Sequence, residues 1–160
     1  PSKVLDKVSE LVVSNLNSNQ KEGNDLMDGM DTSLCMFDLQ NLKLEWAGAN
    51  NPIWIVRDEK LIEIKADKQA IGKTENFKPF TNHSIPIFKN DLIYLFTDGF
   101  ADQFGGSENK KFSKSRFKKT IVDISNLQIA EQKEALIKYH KQWRNQEEQT
   151  DDICIMGIKI

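Results

Sequence analysis

No apolar run in this sequence exceeds six residues, and that shortness limits the fold more than any other feature. The longest runs are Leu92–Phe96 and Ile153–Ile158. A membrane-spanning helix needs about 18 apolar residues, so neither run crosses a bilayer, whereas short runs bounded by turn residues suit buried strands. Shorter runs repeat the pattern. Ser33–Phe37 and Leu42–Trp46 predict a hairpin turning at residues 38–41, and Ile53–Val56 with Leu61–Ile64 predict a second after Pro52. Helical spacing appears in three places. Val4, Leu5, Val8, Leu11 and Val12 behind Ser2 as N-cap predict a helix over residues 3–16. Phe117, Ile121 and Ile124 predict one over 113–125, and Leu136, Tyr139 and Trp143 one over 130–145. Residues 15–31, 65–84 and 98–106 read as loops, the second an ordered one because it keeps Ile71, Phe77 and Phe80. Meandering strands with helices before and after them predict an α+β fold around an antiparallel sheet.

The two longest apolar runs each touch carboxylates at one end. Leu92–Phe96 leads into Thr97-Asp98-Gly99, and Thr150-Asp151-Asp152 leads into Ile153. If the two strands are antiparallel neighbours, the three acids meet at one rim of the sheet. Converging carboxylates without a balancing Lys or Arg are costly unless a cation neutralises them, and an all-oxygen set suits Mg²⁺ or Mn²⁺ rather than zinc or copper. Gly99 beside Asp98 allows close backbone approach. An ordinary Asp-Gly turn and a strand-capping acid explain the same residues, and spacing leaves both readings open.

Composition bounds the rest. A chain of 160 residues allows one domain, and 39% hydrophobic residues suffice for a packed core and exclude a disordered chain. A formal net charge of −2 argues against dedicated nucleic-acid binding. Cys35 and Cys154 lie in apolar runs, which predicts buried thiols in a reducing cytoplasm, and neither has the close partners of a zinc site. The cations from Lys110 to Lys119, interleaved with Phe112 and Phe117, read as a solvated face over core aromatics rather than an RNA surface. Asn24–Cys35 fails as an EF-hand, because Leu26 and Cys35 fall at ligand positions. His83 and His140 are far from the acids in sequence and read as packing or surface residues, and Trp46, Trp54 and Trp143 as core or rim aromatics.

In their order along the chain, these segments resemble the metal-dependent protein phosphatases of the protein phosphatase 2C superfamily, in its bacterial sporulation-protein-E-like (SpoIIE) branch. Asp28-Gly29-Met30-Asp31 before Ser33-Leu34-Cys35 is similar to the start of a sandwich strand. Trp46-Ala47-Gly48-Ala49-Asn50-Asn51-Pro52 is similar to an Ala-Gly-His/Ala-Asn-x-Pro turn, and Leu92–Gly99 to the Tyr-Thr/Ser-Asp-Gly strand. Thr150-Asp151-Asp152-Ile153 resembles the closing Asp-Asp motif, and Ala101–Gly106 a sub-branch linked to sensors.

The resemblance implies an α-β-β-α sandwich of antiparallel sheets flanked by helices, with a two-metal centre of Mn²⁺ or Mg²⁺ at one end. It implies hydrolysis of phosphoserine or phosphothreonine by a metal-activated water, without a covalent phosphoenzyme. Asp98 and Asp151 become metal ligands, Asp152 stands where relatives have Asp or Asn, and Gly99 supports the backbone. The implied partners are a phosphorylated regulatory protein, such as an anti-sigma-factor antagonist, and an upstream sensor region, in the cytoplasm and without nucleic-acid or membrane contact. The family's first metal motif, an Asp-Gly with a nearby Gly-His-Gly, has no counterpart in this chain. With the opening Pro1-Ser2-Lys3, this predicts a domain lacking its N-terminal strands, weak or inactive alone. A sheet edge left open in this way would pair with a second chain as a dimer. The alternative is a phosphatase-like interaction module that has lost catalysis.

Overall fold

The computed structural model describes residues 1–18, 29–72 and 77–160. In chain order the elements are helix α1 (Ser2–Ser18), then strands β1 (Gly29–Met30), β2 (Thr32–Asp38), β3 (Lys43–Ala49), β4 (Ile53–Arg57), β5 (Lys60–Ile64), β6 (Ile71–Gly72), β7 (His83–Pro86) and β8 (Leu92–Phe96). Helix α2 (Gly99–Asp102), strands β9 (Phe104–Gly105) and β10 (Lys110–Lys111), helices α3 (Lys114–Asp123) and α4 (Ile129–Arg144), and strand β11 (Ile155–Lys159) follow. They form two compact units, one of residues 1–53 and 64–88, the other of residues 54–63 and 89–160. Each unit is an antiparallel sheet covered by helix, which is the mixed α+β class expected.

In the first unit β2, β3 and β7 form a three-stranded sheet. The hairpin register runs from Thr32 opposite Ala49 to Asp38 opposite Lys43. Asp38 closes the turn, accepting from the Asn41 backbone N–H at 3.0 Å and its amide nitrogen at 2.7 Å. Leu5 of α1 is buried with Ala47, Ala49, Ile71 and Phe80, and Val8 and Val12 pack against them, whereas Val4 and Leu11, expected on the same face, are exposed at its margins. Ser2 lies inside this helix rather than capping it, and the Pro1 carbonyl accepts from the Val4 and Leu5 N–H groups. The ordered loop contains a strand that its sequence hides. Ile71–Gly72 pairs with Gly29–Met30, and Asp67 accepts from the Thr81 N–H at 2.7 Å and the Thr81 hydroxyl at 3.0 Å. The loop expected at residues 15–31 is helix up to Ser18 and strand at Gly29–Met30, and its residues 19–28, Asp28 included, lie outside the described residues.

In the second unit the sheet order is β11-β8-β4-β5, so β11 and β5 are its edges among the described residues. The β4–β5 turn places Asp58 and Glu59 at φ 48° and 60°, the paired left-handed geometry that suits a tight hairpin. Helices α3 and α4 cover the sheet. Trp54 meets Phe96 and Phe117 at ring-centroid distances of 4.1 and 5.0 Å, and Phe100 stacks on Phe117 at 4.6 Å. Ser113 caps α3, and a capping box of Gln128 and Glu131 starts α4. Beneath the β8 entrance, Arg57 grips the buried Asp91 through two bonds of 2.9 and 2.7 Å.

Two sequence expectations change here. The segment from Asp98 to Gly106 is not an open loop but helix α2 followed by strand β9. Cys154 is exposed, because β11 starts one residue later, at Ile155, and Cys154 stays at the sheet's rim. Cys35 is partly covered on β2, where burial pushes its thiol up to about 12. The cationic stretch behaves as expected: Phe112 and Phe117 are buried, while Lys111 and Lys118 pair with Asp102 and Glu63. Among the described residues no helix is long and apolar enough to cross a membrane.

Candidate functional site

The register of β8 and β11 decides where the acids go. The strands are antiparallel neighbours with Ile155 opposite Phe96, so the residues after β8 and those before β11 share one rim. Asp98, Asp151 and Asp152 all lie there, as the strand pattern predicts. Thr97 stitches the two segments together. Its N–H donates to the Cys154 carbonyl at 3.0 Å, its hydroxyl donates to the Asp152 carbonyl at 2.8 Å, and that hydroxyl accepts from the Cys154 N–H at 2.9 Å.

Gly99 completes the contact. A Cβ on this residue would lie 2.5 Å from the Asp152 carbonyl oxygen and 3.2 Å from the Asp151 carbonyl carbon. The backbone after Asp98 therefore touches the Asp151–Asp152 backbone directly, and any side chain would force the two apart.

The three carboxylates are exposed at this rim. Asp98 occupies the N-cap position of α2 without making a side-chain capping bond, so its oxygens are not consumed by the helix. One Asp151 oxygen accepts from the Asp152 N–H at 2.7 Å, which turns the Asp151 side chain back along its own segment. None of the three forms an ion pair with Lys or Arg among the described residues. Nor, among the described residues, does any group of three or more His, Cys, Asp or Glu side chains stand together so as to hold a metal ion. An oxygen-only set of this kind fits a hard cation held by one or two carboxylates, with water and phosphate oxygens completing its shell. It does not by itself supply two complete metal sites.

The histidines stand elsewhere. His83 packs on Trp46 at 5.1 Å, and His140 packs on Phe100 at 5.6 Å with its Nε2 3.3 Å from Gln103 Oε1. Burial, and then the nearby Arg144, lower the His140 pKa from its ordinary value. Thr97 and Gln103 are the site residues that sequence reasoning did not single out. A threonine ending a strand and a glutamine between Asp102 and Phe104 leave no periodic signal, and only the Thr-Asp-Gly and Asp-Gln-Phe-Gly-Gly strings mark them.

Comparison with known proteins bears on the family and the fold. A family model for Stage II sporulation protein E (SpoIIE) matches residues 1–160. No curated protein sequence matches the chain. Among solved structures, the SiaA-PP2C domain of Pseudomonas aeruginosa is similar with a TM-score of 0.89 and 28% identity, over 100% of this chain and 61% of that one. The phosphatase domain of the cell-fate determinant SpoIIE from Bacillus subtilis, in a manganese-presoaked form, gives 0.62 at 17% identity, over 99% of this chain and 72% of that one. The RsbU and RsbW domains of a Mycobacterium tuberculosis protein give 0.61 at 15% identity, over 97% and 45%. The last two likenesses concern the fold alone. With the whole sequence matched and the PP2C fold present, the chain belongs to the Stage II sporulation protein E (SpoIIE) family of PP2C-type phosphatase domains.

Proposed function

We propose that this chain carries the Asp98–Asp151 part of a metal-dependent protein phosphatase acting on phosphoserine or phosphothreonine. The observation that carries the reading is the backbone contact of Asp98-Gly99 with Asp151-Asp152 at one sheet rim. Asp98 and Asp151 would hold Mn²⁺ or Mg²⁺, with Asp152 beside them and Gly99 keeping the segments close. Bound there, such cations lower the pKa of a water and neutralise charge on the phosphoryl oxygens during in-line displacement. The protein's own part is positional. Thr97 fixes the spacing of the two segments, and the exposure of the acids leaves room for a phosphorylated side chain on another protein.

The substrate class proposed is a phosphorylated regulatory protein of the cytoplasm, such as an anti-sigma-factor antagonist, with the phosphatase governed by an upstream sensor region. Pairing through an open sheet edge would make a dimer. The chain spans 61% of the SiaA-PP2C structure it matches, so activity is proposed for a domain of that fuller length. In such a protein, Mn²⁺-supported turnover of a phosphoserine peptide is expected to fall about 100-fold in Asp98→Asn and in Asp151→Asn, on the scale of lost metal coordination. Turnover that survives both substitutions would refute the assignment, and the chain alone is expected to turn over far more slowly.

A further inference from the structure

Gln103 is fully buried, at 0% exposure, and every polar atom of its side chain is engaged. Its Nε2 donates to the Phe104 carbonyl at 3.0 Å and to the Glu148 carbonyl at 2.8 Å. Two carbonyl partners identify that end as the nitrogen. Oε1 accepts from the Thr150 N–H at 3.3 Å and faces His140 Nε2 at 3.3 Å, so a neutral His140 donates there. The Gln103 carbonyl accepts from the Trp143 indole N–H at 3.0 Å and the Phe112 N–H at 2.8 Å. One residue thus ties the end of α2, which begins beside Asp98, to the chain immediately before Asp151.

The flanking glycines hold this tie against α4. Gly105 leaves no room for a side chain against the Trp143 carbonyl. Gly106 takes φ +71°, donates its N–H to that carbonyl at 2.9 Å, and would place a Cβ 2.8 Å from the Trp143 ring. The Asp-Gln-Phe-Gly-Gly string is therefore a clasp between α2, α4 and residues 148–150. We infer that Gln103 is a positioning residue for the acid rim: its carboxamide sets where Asp151 and Asp152 stand relative to Asp98. Thr97 ties the two segments at the rim, and Gln103 ties them from behind. The inference rests on the proposed cation site for its chemical meaning, but not for its geometry.

A second buried glutamine in the same unit supplies the control. Gln132, 3% exposed, accepts from the Tyr94 hydroxyl at 2.6 Å and donates to the Leu127 carbonyl at 2.9 Å, with none of its partners in residues 148–154. Gln103→Met and Gln132→Met both remove a buried amide and are both expected to lower the melting temperature. Only Gln103→Met is expected to speed amide hydrogen exchange at Thr150, Asp152 and Cys154, by about tenfold or more. Only that variant is expected to raise the Mn²⁺ dissociation constant, read by electron paramagnetic resonance of Mn²⁺ alone, by about tenfold. Should Gln103→Met not fold, Gln103→Asn keeps an amide that is one methylene too short to reach both segments and is read in the same way. Exchange at 150–154 that is unchanged, or raised equally by Gln132→Met, overturns the inference. If Asp98→Asn binds Mn²⁺ as the unaltered protein does, the cation reading fails, and the exchange rates alone still decide the role of Gln103.

Discussion

Asp98→Asn and Asp151→Asn are each expected to weaken Mn²⁺ binding by about 100-fold while leaving the melting temperature within a few degrees of the parent. Ligand loss sets the first number, since even partners that merely orient ligands cost 10–100-fold in metal affinity. The second follows from exposure. Neither carboxylate makes an ion pair among the described residues, and surface substitutions of this kind stay within about 0.5 kcal/mol. Asp152→Asn is expected to have the smallest effect of the three, because the resemblance described above implies Asp or Asn at that position. Isothermal titration with Mn²⁺ and a thermal melt of the same samples check both parts.

The largest loss of stability is expected from Asp91→Ala. Asp91 is 1% exposed and receives two bonds from Arg57, whose guanidinium pKa the contact raises. Removing the carboxylate leaves a partly buried cation, a change that costs about 3–5 kcal/mol where a buried pair is broken on one side. In a chain of this size that lowers the melting temperature by about 10 °C. The residue also sits where the start of β8 meets the chain end: Ile160 donates its N–H to the Asp91 carbonyl at 3.0 Å, and Asn90 donates to the Ile160 carbonyl at 2.9 Å. Lys7→Ala is the contrast. Its bridge to Glu10 is exposed on both sides and contributes less than about 1 kcal/mol. Equal melting shifts for the two variants would contradict the stabilising role given to the Arg57–Asp91 pair.

What the sequence made legible is what periodicity and strand ends encode. The apolar runs around Tyr94 and Ile155 placed β8 and β11, and once those are antiparallel neighbours the acids at their ends have to meet. The helices were equally visible in position, and Leu5, Phe117 and Leu136 of their apolar faces are buried, although Val4, Leu11 and Tyr139 of those faces are exposed. The parts that stayed hidden depend on single residues. Ile71–Gly72 is too short to show alternation, yet pairs with Gly29–Met30. The four-residue helix α2 is held by tertiary bonds from Gln103 and Ser113 rather than by its own propensity, so Asp98 to Gly106 read as a loop. Cys154 looked buried because its neighbours are apolar, but it precedes the first paired residue of β11. Gln103 lay unremarked inside the segment read as a loop, and only its partners reveal a fully satisfied buried amide.

In the proposed site, the segments around Asp98 and Asp151 share a cation. Substoichiometric Mn²⁺ broadens the amide resonances of residues close to it, so its addition to isotope-labelled protein reports the site directly. The amides of Thr97–Gly99 and Thr150–Ile153 are expected to broaden together and first, and Asp98→Asn to abolish the broadening at both segments. Broadening that centres elsewhere, or that touches one segment without the other, would contradict the shared site.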